Sequence, residues 1–343
     1  MNSYERVMQA LSFKEPDRVP LAPSTRFVCI KHAGFTLGEC YRDVNKFVDA
    51  QETAIGDFNL DAAWDLAGIY YIPQALGQNL AVPENDPPAA LEPFIHSSKD
   101  LAKLANFKPE NAPILEYQME MNHKLRARVG KDMPLITYIE SPFYLACVLR
   151  GTQELYMDLY EDPNFIKDLV DTLVEVSKKH AYYVAKESAD IIYTACPQAS
   201  KTMISKETFQ EFVHPSFVTL FDYWRHALGK KILFHVCGDW TDRFDLLIEE
   251  RPDILHVDKV DLKWLKAMCY GKVTVNGNVS TTKTLLIGTP DEVEQEALDC
   301  ITAAASGGGF LLGGDCTLGR DTPAANMRAL ATAVTKYGAY PSK

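Results

Sequence analysis

No run of about 18 consecutive apolar residues occurs in the chain, so no helical membrane span is expected. No cluster of lysine and arginine relieves its net charge of -11, so neither nucleic acid nor an anionic membrane is an expected partner. Cysteine occurs eight times, at 29, 40, 147, 196, 237, 269, 300 and 316, but nowhere with the dense spacing of a disulfide scaffold. Several of these lie in apolar stretches, where cysteine is a small hydrophobe, and a reducing, cytoplasmic compartment is expected. The first twenty residues mix acids with bases and carry no apolar core, so no signal peptide is read there. Neither GxGxxG nor GxxxxGK[ST] is found, which withdraws the nucleotide motifs that would favour an open doubly wound sheet. There is no internal repeat and no low-complexity segment.

What is present is alternation. Apolar strand patterns at 19–21, 62–67, 135–139, 190–193, 232–236, 254–257, 273–275 and 309–312 are separated by helical patterns. The helices are expected at 3–12, 25–33, 41–55, 111–128, up to 187 with breaks at Gly151 and Asp162-Pro163, and at 205–228, 242–249, 262–269, 290–305 and 323–337. Eight βα units imply a parallel sheet able to close, so the expected fold is α/β, a (β/α)8 TIM barrel with N-terminal helical additions. The whole length, 1–343, reads as one barrel domain with a loop and helix insertion around 70–130, of which 83–93 is a surface loop rich in proline and acids. Gly307-Gly308-Gly309 precedes a strand, which reads better as an entry to that strand than as a phosphate cradle.

The chemistry concentrates at 230–239, KKILFHVCGD. A short buried strand ends there in a turn at Gly238, and strand alternation points His235 and Cys237 the same way. Imidazole and thiolate suit a borderline-soft metal such as zinc. The best third ligand is Cys316, across the turn Gly313-Gly314-Asp315 from another apolar strand. His-x-Cys with a distant Cys leaves one position open, as a catalytic zinc site needs. On their own, the same three residues are also compatible with buried neutral side chains. Asp258, just after a strand, is the best positional match for a resting fourth metal ligand, with a cap or solvated acid as the plainer reading. Asp239 and Asp315 flank the ligands and read as turn or supporting residues. Glu140 ends a strand at the expected mouth and, with Asn276 and Asn278 of the NGN turn, is a candidate for cofactor or substrate contact. His256 reads as a satisfied core histidine. Arg26 is a candidate to bind an anionic group such as a sulfonate or carboxylate, with a surface arginine as the plainer reading.

These pieces together resemble the uroporphyrinogen decarboxylase superfamily. The resemblance runs through 4–7 (YERV), 16–20 (PDRVP), 205–215 (SKETFQEFVHP), 234–239 (FHVCGD), 276–279 (NGNV), 288–293 (GTPDEV), 310–316 (FLLGGDC) and 321–329 (DTPAANMRA). It implies a (β/α)8 barrel, in agreement with the strand count. Within the superfamily, His-x-Cys with a distant Cys resembles the zinc-dependent corrinoid:thiol methyltransferases of the methylcobalamin:coenzyme M type. That resemblance implies Zn2+ held by His235, Cys237 and Cys316, and a methylcorrinoid carried by a partner protein. It implies a thiol acceptor such as coenzyme M, which attacks the methyl group as a zinc-bound thiolate. Two alternatives stand beside it. One is a corrinoid-dependent enzyme that demethylates a small substrate or uses tetrahydrofolate; the other is a metal-free decarboxylase-like lyase. Decarboxylase members bind carboxylates through arginines in an N-terminal segment, and the corresponding 27–35, FVCIKHAGF, has none.

Overall fold

A computed structural model of the chain describes residues 1–66 and 70–341. Ala67, the last residue of the expected second strand, lies outside them. The sheet is seven parallel strands in sequence order: Ala63–Trp64, Leu135–Tyr138, Ile191–Ala195, Lys231–Val236, Ile254–Val257, Thr274–Val279 and Phe310–Gly314. Their side chains are buried on both faces almost without exception. Such two-sided burial is why these strands read as continuous apolar runs and not as alternating ones.

The eighth strand, expected at 19–21, is reduced to a single parallel bridge, Leu21 with Leu312. Leu312 N–H donates to the Pro20 carbonyl at 2.9 Å, Ala22 N–H to the Leu312 carbonyl at 2.9 Å, and Asp61 N–H to the Leu21 carbonyl at 2.8 Å. One short segment therefore touches the last strand on one side and the approach to the first on the other, and the sheet closes through it. Pro20 has no N–H to donate, which limits the ladder at this position. Side chains take over. The buried Asp61 carboxylate accepts from Leu21 N–H at 2.7 Å, from Arg6 at 2.7 Å and from Arg18 at 2.6 Å. Arg6 also holds Asp17. The YERV and PDRVP motifs thus meet on one carboxylate that fastens the closing segment.

Helices cover the outside. Pro163–Ala185 lies between Pro113–Val129 and His214–His226. The helix expected at 205–228 is two helices, Lys206–Phe212 and His214–His226, because Pro215 lacks the N–H that a continuous helix would need there. Phe209, Phe212, Phe217, Leu220 and Phe221 form their buried apolar side, and the Phe217 ring packs tilted against Phe234 with centroids 4.5 Å apart, supporting the strand that carries His235. The stretch 70–130 holds helices Tyr71–Leu76, Leu101–Ala105 and Pro113–Val129, and a two-stranded antiparallel ribbon, Leu80–Ala81 with Ala89–Ala90. The loop expected at 83–93 therefore includes one ribbon strand. Gly307-Gly308-Gly309 forms a left-handed turn against the N-terminal segment. A Cβ on Gly308 would lie 2.5 Å from the Lys14 carbonyl oxygen, and the Lys266 ammonium donates to the Gly308 carbonyl. The turn is a packed strand entry. Among the described residues, no helix is long and apolar enough to cross a membrane.

Candidate metal centre

Strand register assembles the site. Ala195, His235, His256, Asn276 and Leu311 stand in one row across five adjacent strands. On the Ile191–Ala195, Lys231–Val236 and Ile254–Val257 strands the row lies at or next to the carboxyl end, where barrels of this kind carry their functional groups, and on the last two strands it lies further back. Past the end of the Lys231–Val236 strand the chain passes through Cys237 and turns at Gly238, whose φ of +89° is one that an L side chain rarely adopts. On the far strand, Phe310–Gly314 delivers Cys316 two residues past its end.

The three expected ligands converge. One ligand atom from each of His235, Cys237 and Cys316 lies within 4.8 Å of the other two, and His235 Nε2 is 3.4 Å from Cys316 Sγ. A tetrahedral zinc with a sulfur and a nitrogen ligand separates those atoms by about 3.6 Å, so the donor set fits zinc with small adjustment. His235 Nδ1 is 3.1 Å from the His256 carbonyl oxygen. A carbonyl only accepts, so Nδ1 carries the ring hydrogen and Nε2 is left bare toward the sulfurs. Histidine is buried here, while both cysteines are partly open to solvent. Contact with Cys237 holds the Cys316 thiol well below the ordinary thiol range. The same contact with Cys316, and then burial, pushes Cys237 up.

The surroundings fix these groups. His256 lies 4.4 Å from the His235 ring and donates from Nε2 to the Gly314 carbonyl at 2.9 Å. Burial drives its pKa down to about 3, so it is neutral and structural, and its backbone and side chain brace the strands of His235 and Cys316 respectively. Asp315 accepts from the Thr281 N–H and hydroxyl, shaping the turn before Cys316. Asp239 accepts from Thr241 in the same way beyond Cys237.

Asp258 stands beside the cluster and not within it. Its Oδ2 is 3.9 Å from Cys237 Sγ and accepts the Gly238 N–H at 2.8 Å, while Oδ1 accepts from Lys259. Asn278 ties that loop down, donating to the Asp258 and Val260 carbonyls at 3.0 Å each. Asn276 is buried, donates to the Leu311 carbonyl at 3.3 Å and leaves its Oδ1 without a partner. Sequence reasoning missed the Trp240 indole N–H on the Cys237 carbonyl, at 2.9 Å, and the Tyr193 ring stacked 6.3 Å from His235. Only the strand register could have suggested Tyr193, and no local signal marked Trp240.

Glu140 is fully buried. Its Oε2 accepts the Ile72 N–H at 2.8 Å and its Oε1 has no partner. Burial raises its pKa from the usual 4.5 to about 8. The stability this proton contributes is full below pH 4.5 and is lost as pH rises through about 8. Glu140→Gln removes the ionisation. Thermal unfolding is expected to show the variant gaining on the wild type as pH is raised from about 5 to about 9, and a pH-independent difference would contradict the burial account.

The family model described as uroporphyrinogen decarboxylase (URO-D) matches residues 2–337. A methylated-thiol:coenzyme M methyltransferase of Methanosarcina mazei is 27% identical over 60% of this chain and 54% of its own length. The methylcobamide:CoM methyltransferase MtbA of the same organism is 24% identical, with 97% of each chain covered. A solved methyltransferase from M. mazei superposes with a TM-score of 0.87 at 20% identity, covering 98% of this chain and 99% of that one. That likeness establishes the barrel fold. Since the family match leaves out only a few terminal residues of a barrel whose strand ends carry the cluster, the chain belongs to the uroporphyrinogen decarboxylase (URO-D) family.

Proposed function

We propose that the chain is a zinc-dependent methyltransferase that moves a methyl group from a methylated corrinoid, carried by a partner protein, to a small thiol. The observation that carries the reading is the convergence of His235 Nε2 with the Cys237 and Cys316 sulfurs. The methylcobamide:CoM relatives, alike over 97% of the chain, support it. His235, Cys237 and Cys316 are the ligands. Zinc, when bound, supplies the charge that holds a substrate sulfur as a thiolate near neutral pH.

The protein's own groups do the rest. The His256 carbonyl keeps His235 in the ligating tautomer. Asp258 holds the Gly238 turn so that Cys237 stays presented at the mouth. In the transfer a sulfur lone pair makes the new bond to carbon, the cobalt–carbon electron pair stays with the corrinoid, and the thiol proton leaves to solvent. The relative named for a methylated thiol favours a second reading, in which the corrinoid is the acceptor and the same ligands serve demethylation of a small methyl donor.

The test is to purify the chain from zinc-replete cells, measure metal, and mix it with free methylcobalamin and mercaptoethanesulfonate. The reading predicts about one zinc per chain and methylcobalamin consumption matched by S-methyl product. Protein that stays metal-free after zinc reconstitution and consumes no methyl group contradicts it. Transfer to tetrahydrofolate alone would leave the ligand set standing and replace the acceptor.

A further inference from the structure

Three arginines are buried: Arg6, Arg26 and Arg243. Arg6 pairs with Asp17 and Asp61, and Arg243 pairs with Asp242. Arg26, 5% exposed, has no carboxylate partner among the described residues. A guanidinium does not give up its proton in a protein, so this charge persists. An unpaired buried cation is costly, and such groups are ordinarily paired.

Arg26 is nevertheless held in place. Its Nε donates to the Ser24 hydroxyl at 2.9 Å, and its Nη2 donates to the Tyr193 hydroxyl at 3.3 Å and to the Thr317 hydroxyl. The guanidinium sits 4.7 Å over the Tyr193 ring and 5.9 Å from the Trp64 ring. Nη1 has no hydrogen-bond partner among the described residues, and it is not among the fully buried atoms that lack one. The acid that feels its field is Asp65, but that carboxylate is committed to the Tyr138 N–H and the Gln118 amide, and burial raises its pKa to about 6. The position is close to the metal ligands. Thr317 follows Cys316 in the chain, and Tyr193 stacks on His235. Lys31 and Arg320, the cations of the neighbouring cavity lined by Phe27 and Phe35, are both engaged by Asp321.

We propose that Arg26 is the specificity-determining residue of the site, and that its free Nη1 edge binds the anionic head, sulfonate or carboxylate, of a short thiol whose sulfur reaches the His235, Cys237 and Cys316 cluster. The inference rests on the thiol-acceptor reading for the sulfur end and on Arg26 alone for the anion end. Zinc with two thiolates is neutral, so a bound thiolate that also carries an anionic head brings two negative charges. Arg26 offsets one of them in a buried setting, where a single charge-assisted contact is stronger than in water. A neutral thiol of the same length would leave the cation unanswered.

The test compares mercaptoethanesulfonate, mercaptopropionate, mercaptoethanol and cysteamine as acceptors from methylcobalamin, in wild type, Arg26→Gln and Arg26→Lys. Wild type is expected to favour the anionic thiols over mercaptoethanol in kcat/KM by at least about ten-fold. That ratio falls at least about ten-fold in Arg26→Gln, through KM, and partly recovers in Arg26→Lys. The sulfonate and carboxylate arms decide between the two heads. Titration calorimetry with ethanesulfonate, which has no thiol and needs no transfer, reads the anion end by itself. Binding in wild type that is lost in Arg26→Gln supports the subsite even if no thiol is methylated, in which case the functional reading falls alone. A wild type that treats charged and neutral thiols alike, or a ratio unchanged in Arg26→Gln, overturns the proposal. Ethanesulfonate binding no stronger than that of ethanol does the same.

Discussion

Replacing Cys316 with serine is expected to lower zinc affinity at least about a hundred-fold and to abolish thiol methylation within the detection limit. Loss of groups that merely support a metal ligand already costs ~10- to 100-fold, and here a ligand itself is lost. Serine preserves the size of the side chain and the turn made by Asp315 with Thr281, so the barrel stays folded. What goes is the sulfur 3.4 Å from His235 Nε2. Metal analysis after dialysis against a weak chelator reads the effect directly, with circular dichroism as the check on folding. A variant that keeps its zinc would remove Cys316 from the ligand set, and with it the convergence on which the functional reading stands.

The second large effect lies at the other end of the barrel. Asp61→Ala is expected to destabilise the chain by about 3–5 kcal/mol, the range for breaking a buried ion pair by removing one partner. The substitution leaves Arg18 without its carboxylate, removes one of the two carboxylates on Arg6, and frees the Leu21 N–H. Since Leu21 is the bridge that joins the first and last strands, amide exchange at Ala22 and Leu312 should accelerate along with the fall in the denaturation midpoint. A loss below about 1 kcal/mol, the scale of an exposed ion pair, would mean that closure does not depend on this carboxylate.

Much of the fold was legible because buried parallel strands announce themselves as short apolar runs between helical stretches. The weakest was the first. Val19-Pro20-Leu21 has a strand's composition, but proline's missing N–H restricts it to one bridge, and Asp61, far along the chain, completes the attachment. The split of the helix after Phe212 is marked in sequence only by Pro215, because the apolar pattern runs through it unbroken.

At the site, His235 and Cys237 were legible from strand alternation alone, and Cys316 from its place beyond a second strand end. That Cys316 meets His235, and which ring nitrogen faces it, was not legible. It depends on register, which sets His235 beside His256, and on a carbonyl contact that no residue type encodes. His256 was correctly read as a core residue, yet its bracing of both ligand strands follows only from the geometry. Arg26 was hard to read for the opposite reason. In sequence it is one arginine among many, and it stands apart only once burial and the absence of an acid beside it are both known.

The most direct measurement is X-ray absorption at the zinc edge of the purified protein, before and after adding mercaptoethanesulfonate. The account predicts a first shell of two sulfurs and one nitrogen from the protein with an exchangeable fourth light atom, becoming three sulfurs and one nitrogen when thiol is added. A shell of four protein ligands that thiol leaves unchanged would make the metal structural and contradict the account.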